Sequence, residues 1–282
     1  GELVAKAALT AGKPEGDVLW GVDNSLLSRA LDARVFDPYV SNAHSSIPEL
    51  VGTAADTVTP VDFGDVCVNY DIAALRERGI DPPRSFEDLI DPAYRNLLAV
   101  PSAVSSSPGL AFLLATIARF GDPGWVDYWK SLIANGTQIV STWTDAYYSS
   151  FTRYGGDRPL VLSYASSPPA EVIFADPPLP AGSPAPTGVV TATCFRQIEY
   201  AGVLRGSAHT KDARRLVDYL TSPGFQALLP ESLFVYPANP DVALPESFTT
   251  HAPRVSDPIT MSPSTIAAGR AGWLDQIGRA HV

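Results

Sequence analysis

Residues 60–71 read PVDFGDVCVNYD and residues 197–204 read QIEYAGVL. Val66 to Tyr70 and Gln197 to Leu204 are rich in β-branched and aromatic residues, which favour strands. Val58 to Val61 reads as a further short strand. Between these segments, and on either side of them, runs of strand type alternate with amphipathic helices. Such alternation signals α/β layers with largely parallel sheets. The chain has 282 residues, room for one large domain or two lobes. With two strand–helix series visible, the expected organisation is two lobes, with the strands near 63–70 and 195–203 crossing between them.

Working outward, Glu2 to Ala11, Asn24 to Ala33 and Lys211 to Leu220 have helical spacing of apolar residues. Asp17 to Trp20, Asn96 to Val100, Thr137 to Ser141 and Leu160 to Tyr164 read as strands. Ser85 and Asp88 fit a capping box that opens a short helix. Ser107 is the expected N-cap of a helix over Leu110 to Phe120, with Pro108 as its first residue and Gly121 as its stop. Another helix spans Gly124 to Ala134. Thr144 is the expected cap of a helix through Tyr154. Pro223 to Leu229 and Ser264 to Gln276 are the last helices. Ile277 to Val282 reads as a non-native tail outside the fold.

Hydrophobic residues make up 45% of the chain, which argues for packed cores, and 26 prolines argue for many rigid loops. The net charge of −10 argues against nucleic acid, whose phosphates need basic stripes. It favours a cationic ligand in general terms. The longest apolar stretch, Gly109 to Ala118, is far short of the ~20 residues of a membrane span. No catalytic signature of the nucleophile-elbow, dinucleotide, P-loop or zinc-protease type occurs, and the four histidines are scattered.

The informative feature is the position of aromatics. Trp143 follows a strand, Tyr164 ends one and leads into Ala165-Ser166-Ser167, and Phe234 and Tyr236 sit in a loop. Strand ends are where open α/β sheets bind ligands, and aromatics there suit flat or cationic rings. They equally suit the covering of a core edge. Ser105-Ser106-Ser107-Pro108-Gly109 places hydroxyls and N–H groups at a helix start, suited to an anion or to ordinary capping. Cys67 and Cys194 fall in the two crossing strands. They are either a disulfide or two separate buried thiols.

Six segments occur in a recognisable order: GDVLWGVDNSLL (16–27), PVDFGDVCVNYD (60–71), SSSPGLAFLL (105–114), STWTDAYYSSF (141–151), LVLSYASSPP (160–169) and SLFVYPAN (232–239). Together they resemble the thiamine-binding subunits of bacterial ABC importers. The resemblance implies a two-lobed α/β clamshell of the type II periplasmic-binding-protein kind, here lacking the first strand and part of the first helix. Lobe 1 would be residues 1–64 and 199–276, and lobe 2 residues 65–198. It implies thiamine, or its phosphates, bound in an interlobe cleft by Gly1, Ser106, Ser107, Trp143, Tyr164, Ala165, Ser166, Ser167 and Phe234. Phe234 stands where the family can have Trp, and Ala170 where a further Tyr can occur. The implied partner is an ABC permease, the implied state a monomer without cofactor, metal or catalytic residues. The implied location is periplasmic, or extracellular and membrane-anchored, with the signal segment absent from this chain. Asp23 and Glu199 are candidates to face the ligand's charge.

Two rivals remain on the sequence. Tyr147 and Tyr148 are a pair of the kind that binds ferric ion, although neighbouring helical residues point about 100° apart. That places one in the core and one at the surface. Thiamine-degrading enzymes share the clamshell and use a cysteine nucleophile with a carboxylate. Here Cys194 and Glu199 lie five apart on a strand, on opposite faces.

Overall fold

The computed structural model describes residues 2–41, 56–180 and 182–280. Gly1 and residues 281–282 lie outside the described residues. The chain divides into two compact units. Unit 1 comprises residues 1–64, 197–245 and 262–268, and unit 2 comprises residues 65–196, 246–261 and 269–282. The sequence division places 246–276 with the first lobe.

Two long strands, β2 (Thr59–Asp71) and β6 (Thr187–Val203), contribute to both units. The sequence suggests two short strands over 58–70; the structure has one. Nearly every residue of β2 is buried, its polar residues Asp62, Asp65, Asn69 and Asp71 included.

In unit 1, β1 (Val18–Asp23) pairs antiparallel with β6, and β7 (Tyr236–Pro237) pairs antiparallel with the start of β2. The β1–β6 register shifts between Trp20 and Val22, at Gly21, whose φ is +97°. A left-handed glycine at a bulge lets one strand carry an extra residue. Val22, Leu27, Ala30, Val35, Phe36 and Tyr200 form the main core beneath. The helix Thr210–Leu220 packs Ala213 and Val217 onto Val203.

In unit 2, β2 pairs antiparallel with β5 (Leu160–Tyr164). β5 lies parallel to β3 (Leu98–Pro101), and β3 parallel to β4 (Gln138–Val140). The expectation of largely parallel sheets therefore holds only for β3, β4 and β5 among the described pairings. The helices Ser107–Phe120 and Gly124–Ala134 cover this unit with an aromatic core of Phe86, Phe112, Tyr128 and Trp129. Trp129 Nε1–H donates to Thr116 Oγ1 at 2.9 Å, which satisfies the buried indole. Burying each such side chain contributes ~1.5–3 kcal/mol.

Several boundaries differ from the sequence expectation. The helix at 107–120 is capped at Ser106, not Ser107, and Ser106 makes no side-chain cap bond. The segment 142–154 is capped by Thr142, not Thr144, through a reciprocal capping box with Asp145. It is not one helix: an α turn at Trp143–Asp145 passes into a π turn at Ala146–Ser150 and a 3₁₀ turn at Thr152–Tyr154. The last helix runs Pro263–Ala280, with Ile277 buried. Among the described residues no helix is long and apolar enough to cross a membrane.

Candidate functional site

The parallel strands β3, β4 and β5 of unit 2 end together, and the expected ligand residues of this unit collect at that edge. After β3, Gly109 seats the helix Ser107–Phe120 directly on the strand end. A Cβ there would collide with the Pro101 carbonyl oxygen and the Ser102 backbone. This close approach fixes Ser106 and Ser107 beside the β3 terminus. Ser105 Oγ–H donates to the Ser141 carbonyl at 2.6 Å, tying this loop to the end of β4.

Trp143 is the third residue after β4 and is half-buried. Its indole N–H donates to Ser163 Oγ of β5 at 3.1 Å. Ser163 Oγ lies 2.8 Å from Ser167 Oγ, and the Tyr164 N–H donates to Ser167 Oγ at 3.2 Å. Trp143, Tyr164 and Ser167 thus form one connected group. Ala165 and Ser166 turn inward and are fully buried. Ala165 packs on the disulfide joining Cys67 and Cys194, so these two positions offer backbone, not side chains. The disulfide consumes both cysteines of the chain.

Trp143 stacks on Tyr147, with ring centroids 5.0 Å apart and planes 21° apart. Tyr147 is buried and donates to Glu171 Oε1 at 2.6 Å. Burial, and then the Glu171 charge, push the Tyr147 phenol above its ordinary value. Tyr148 is exposed and meets Trp143 edge-on at 5.6 Å. One tyrosine in the core and one at the surface is the arrangement the helical spacing anticipates. It does not present a pair of tyrosinates to an ion. Among the described residues no group of three or more His, Cys, Asp or Glu is arranged to hold a metal.

Unit 1 holds Phe234 and a cluster of carboxylates. Phe234 caps the helix Leu229–Leu233 in the left-handed region, at φ 56°. A bulky residue held there is strained. The chain then enters β7, where Tyr236 stacks on Phe63 with centroids 5.2 Å apart. Gly1, expected to contact the ligand, lies outside the described residues.

Trp20 and Asp62 have no place in the sequence reading of the site. Trp20 Nε1–H donates to Asp62 Oδ2 at 3.0 Å, and Asp62 is buried. Burial raises the Asp62 carboxyl well above the usual range, and the Glu199 charge raises it further. Glu199 is pushed up to about 7, by burial first and by Asp23 second. Asp23 and Glu199 face each other across the β1–β6 ladder, where like charges repel. Asp23 accepts from the Ser25 hydroxyl, from the Ser25 N–H at 2.8 Å and from Gln197 Nε2 at 3.1 Å. The signal available in the sequence was a carboxylate in each of three apolar strands. Cys194 belongs to unit 2 and Glu199 to unit 1, so they do not form a nucleophile–base pair within one unit.

Known proteins resemble the chain along its whole length. A family model described as bacterial extracellular solute-binding protein matches residues 14–255. The thiamine-binding periplasmic protein of Salmonella typhimurium is 28% identical over 279 residues, covering 99% of this chain and 80% of that protein. Its namesake from Brucella abortus is 28% identical over 278 residues, covering 97% and 78%. A solved periplasmic thiamin binding protein matches with a TM-score of 0.84 at 25% identity, covering 99% of this chain and 83% of that one. The ferric binding protein from Campylobacter jejuni, 16% identical over 99% of this chain and 88% of that one, shares the fold with a TM-score of 0.77. Two α/β units, crossing strands and a family match over most of the length agree: the chain belongs to the bacterial extracellular solute-binding proteins.

Proposed function

We propose that this protein captures thiamine, or a thiamine phosphate, outside the cytoplasm and delivers it to an ABC permease. The observation that carries the reading is Trp143: an indole pinned at the strand-end edge of unit 2 by Ser163 and backed by Tyr147. A fixed aromatic face suits a flat cationic ring, and a good cation–π contact contributes ~0.5–2 kcal/mol. Tyr164 and Ser167 extend this shelf, and Ser106 and Ser107 stand ready for the hydroxyethyl or phosphate end. The relatives named thiamine-binding align over nearly the whole chain, which supports the same ligand class. The net charge of −10 favours a cationic ligand in general terms.

The protein acts as a monomeric carrier, not as an enzyme. The bonded Cys67 and Cys194 support this, because a disulfide sulfur has no thiolate with which to attack. The periplasm, or the outer face of a membrane to which the protein is anchored, is the location that fits the relatives' names. Binding then selects the permease-competent conformation by differential contacts.

A thermal-shift series with thiamine, its mono- and diphosphate and ferric citrate tests the reading. A ligand at 100 times its Kd stabilises the folded state by about 2.7 kcal/mol. Upward shifts with thiamine compounds alone are expected. A shift with ferric citrate alone would replace this reading with iron capture.

A further inference from the structure

Behind Trp143 lies a buried carboxylate that ligand contact alone does not explain. Glu171 belongs to the helix Ser167–Ile173, and its side chain is only 3% exposed. Its Oε1 accepts from Tyr147 Oη at 2.6 Å and from Tyr154 Oη at 3.0 Å, and its Oε2 accepts from Arg153 Nε at 3.3 Å. All three donors come from the irregular segment that follows Trp143. Glu171 stands one helical turn beyond Ser167, on the same face. That helix therefore grips the indole twice. Ser167 reaches its N–H through Ser163, and Glu171 reaches its ring face through Tyr147.

A carboxylate in an apolar interior is costly unless its oxygens are bonded. Apolar residues of similar volume often stabilise a fold as well as a buried ionic group does. What the carboxylate adds is direction. Tyr147 and Tyr154 lie with ring centroids 5.6 Å apart, and Tyr148 packs on Tyr154 at 4.8 Å. Two phenols thus converge on one carboxylate oxygen, and the rings of Trp143 and Tyr148 pack against them. The π turn at Ala146–Ser150, which shifts Tyr147 out of α-helical register, lies in the same segment. Such turns are frequent at functional sites.

We infer that Glu171 is a positioning residue: through Tyr147 it fixes the ring plane of Trp143 and thereby sets how tightly unit 2 stacks a flat cationic ligand. The affinity part of this rests on Trp143 contacting the ligand, as proposed above. Glu171→Gln keeps the size but replaces one acceptor oxygen with a donor that faces a hydroxyl or Arg153. Tyr147→Phe keeps the ring and removes only the hydroxyl.

The test uses the full chain and reads near-ultraviolet circular dichroism of the free protein and the Kd for thiamine by calorimetry. Both variants are expected to alter the aromatic dichroism of the Trp143–Tyr147 stack and to weaken thiamine about tenfold. In a Trp143→Ala background, Glu171→Gln is expected to change the Kd by no more than about twofold. An unchanged spectrum with an unchanged Kd overturns the proposal. So does a loss of affinity that is the same with and without Trp143, since Glu171 would then act independently. Should Glu171→Gln fail to fold, Tyr147→Phe decides by the same two readouts. Should the wild-type chain not bind thiamine, the function proposed above fails. The dichroism then decides the positioning role alone, an altered spectrum supporting it and an unaltered one overturning it.

Discussion

Trp20 donates its indole N–H to a carboxyl oxygen of Asp62, 42 residues away, at 3.0 Å. Asp62 is 1% exposed, so this bond stands in place of water. Removing the donor leaves a buried acceptor unpaired, at ~1–3 kcal/mol. Trp20→Phe is therefore expected to lower the melting temperature by several degrees, at roughly 2–4 °C per kcal/mol for a chain of this size. A melt indistinguishable from wild type would mean that Asp62 finds another donor.

The neighbouring Glu199 makes stability depend on pH. Its folded value of about 7 lies above the ordinary 4.5. Between those values the folded protein holds more protons than the unfolded chain. Stability from this group is therefore greatest below about pH 4.5 and falls as pH rises to about 7. Asp62, also raised, acts in the same direction. Glu199→Gln is expected to flatten the fall, melting higher than wild type at about pH 8 and near it at about pH 4.5. Parallel melting-versus-pH curves for the two proteins would contradict this.

The Cys67–Cys194 bond closes a loop with a sequence separation of 127. Long loops gain most from closure, and a typical disulfide contributes ~2–4 kcal/mol. Reduction, or the double change Cys67→Ala and Cys194→Ala, is expected to lower stability by about that amount. Thiol titration of the denatured, unreduced chain should find none, and two after reduction. Free thiols before reduction would contradict the pairing.

Gly109→Ala sets two effects against each other. Alanine favours a helix over glycine by ~1 kcal/mol. Here its methyl group would collide with the backbone of Pro101 and Ser102, and overpacking of that kind costs ~1–3 kcal/mol. A net loss of stability is expected in chemical denaturation. A gain would show that the helix is not held against the β3 end.

Elements whose determinants are local were legible in the sequence. The helix Gly124–Ala134 and the strand Leu160–Tyr164 have the bounds that their flanking residues dictate. The segment after β4 misled because Thr142 and Thr144 are equally good caps locally. Its break into α, π and 3₁₀ turns accompanies bonds from Tyr147 and Tyr154 to Glu171, 24 and 17 residues on. Strand direction was likewise out of reach: β1–β6 and β2–β5 pair antiparallel, and no local pattern encodes that. In the site, Trp143, Tyr164 and Ser167 could be named from strand ends and from the resemblance. Asp62 could not, because a single carboxylate in a strand reads as outward-facing until Trp20 is placed beside it.

The central claim is tested most directly by calorimetric titration of the purified chain with thiamine near neutral pH, beside its Trp143→Ala variant. The account predicts saturable one-to-one binding, weakened about tenfold or more by the variant, as loss of a stacked cation–π face requires. No binding up to about 1 mM thiamine by a folded chain, or equal affinity in the variant, would contradict it.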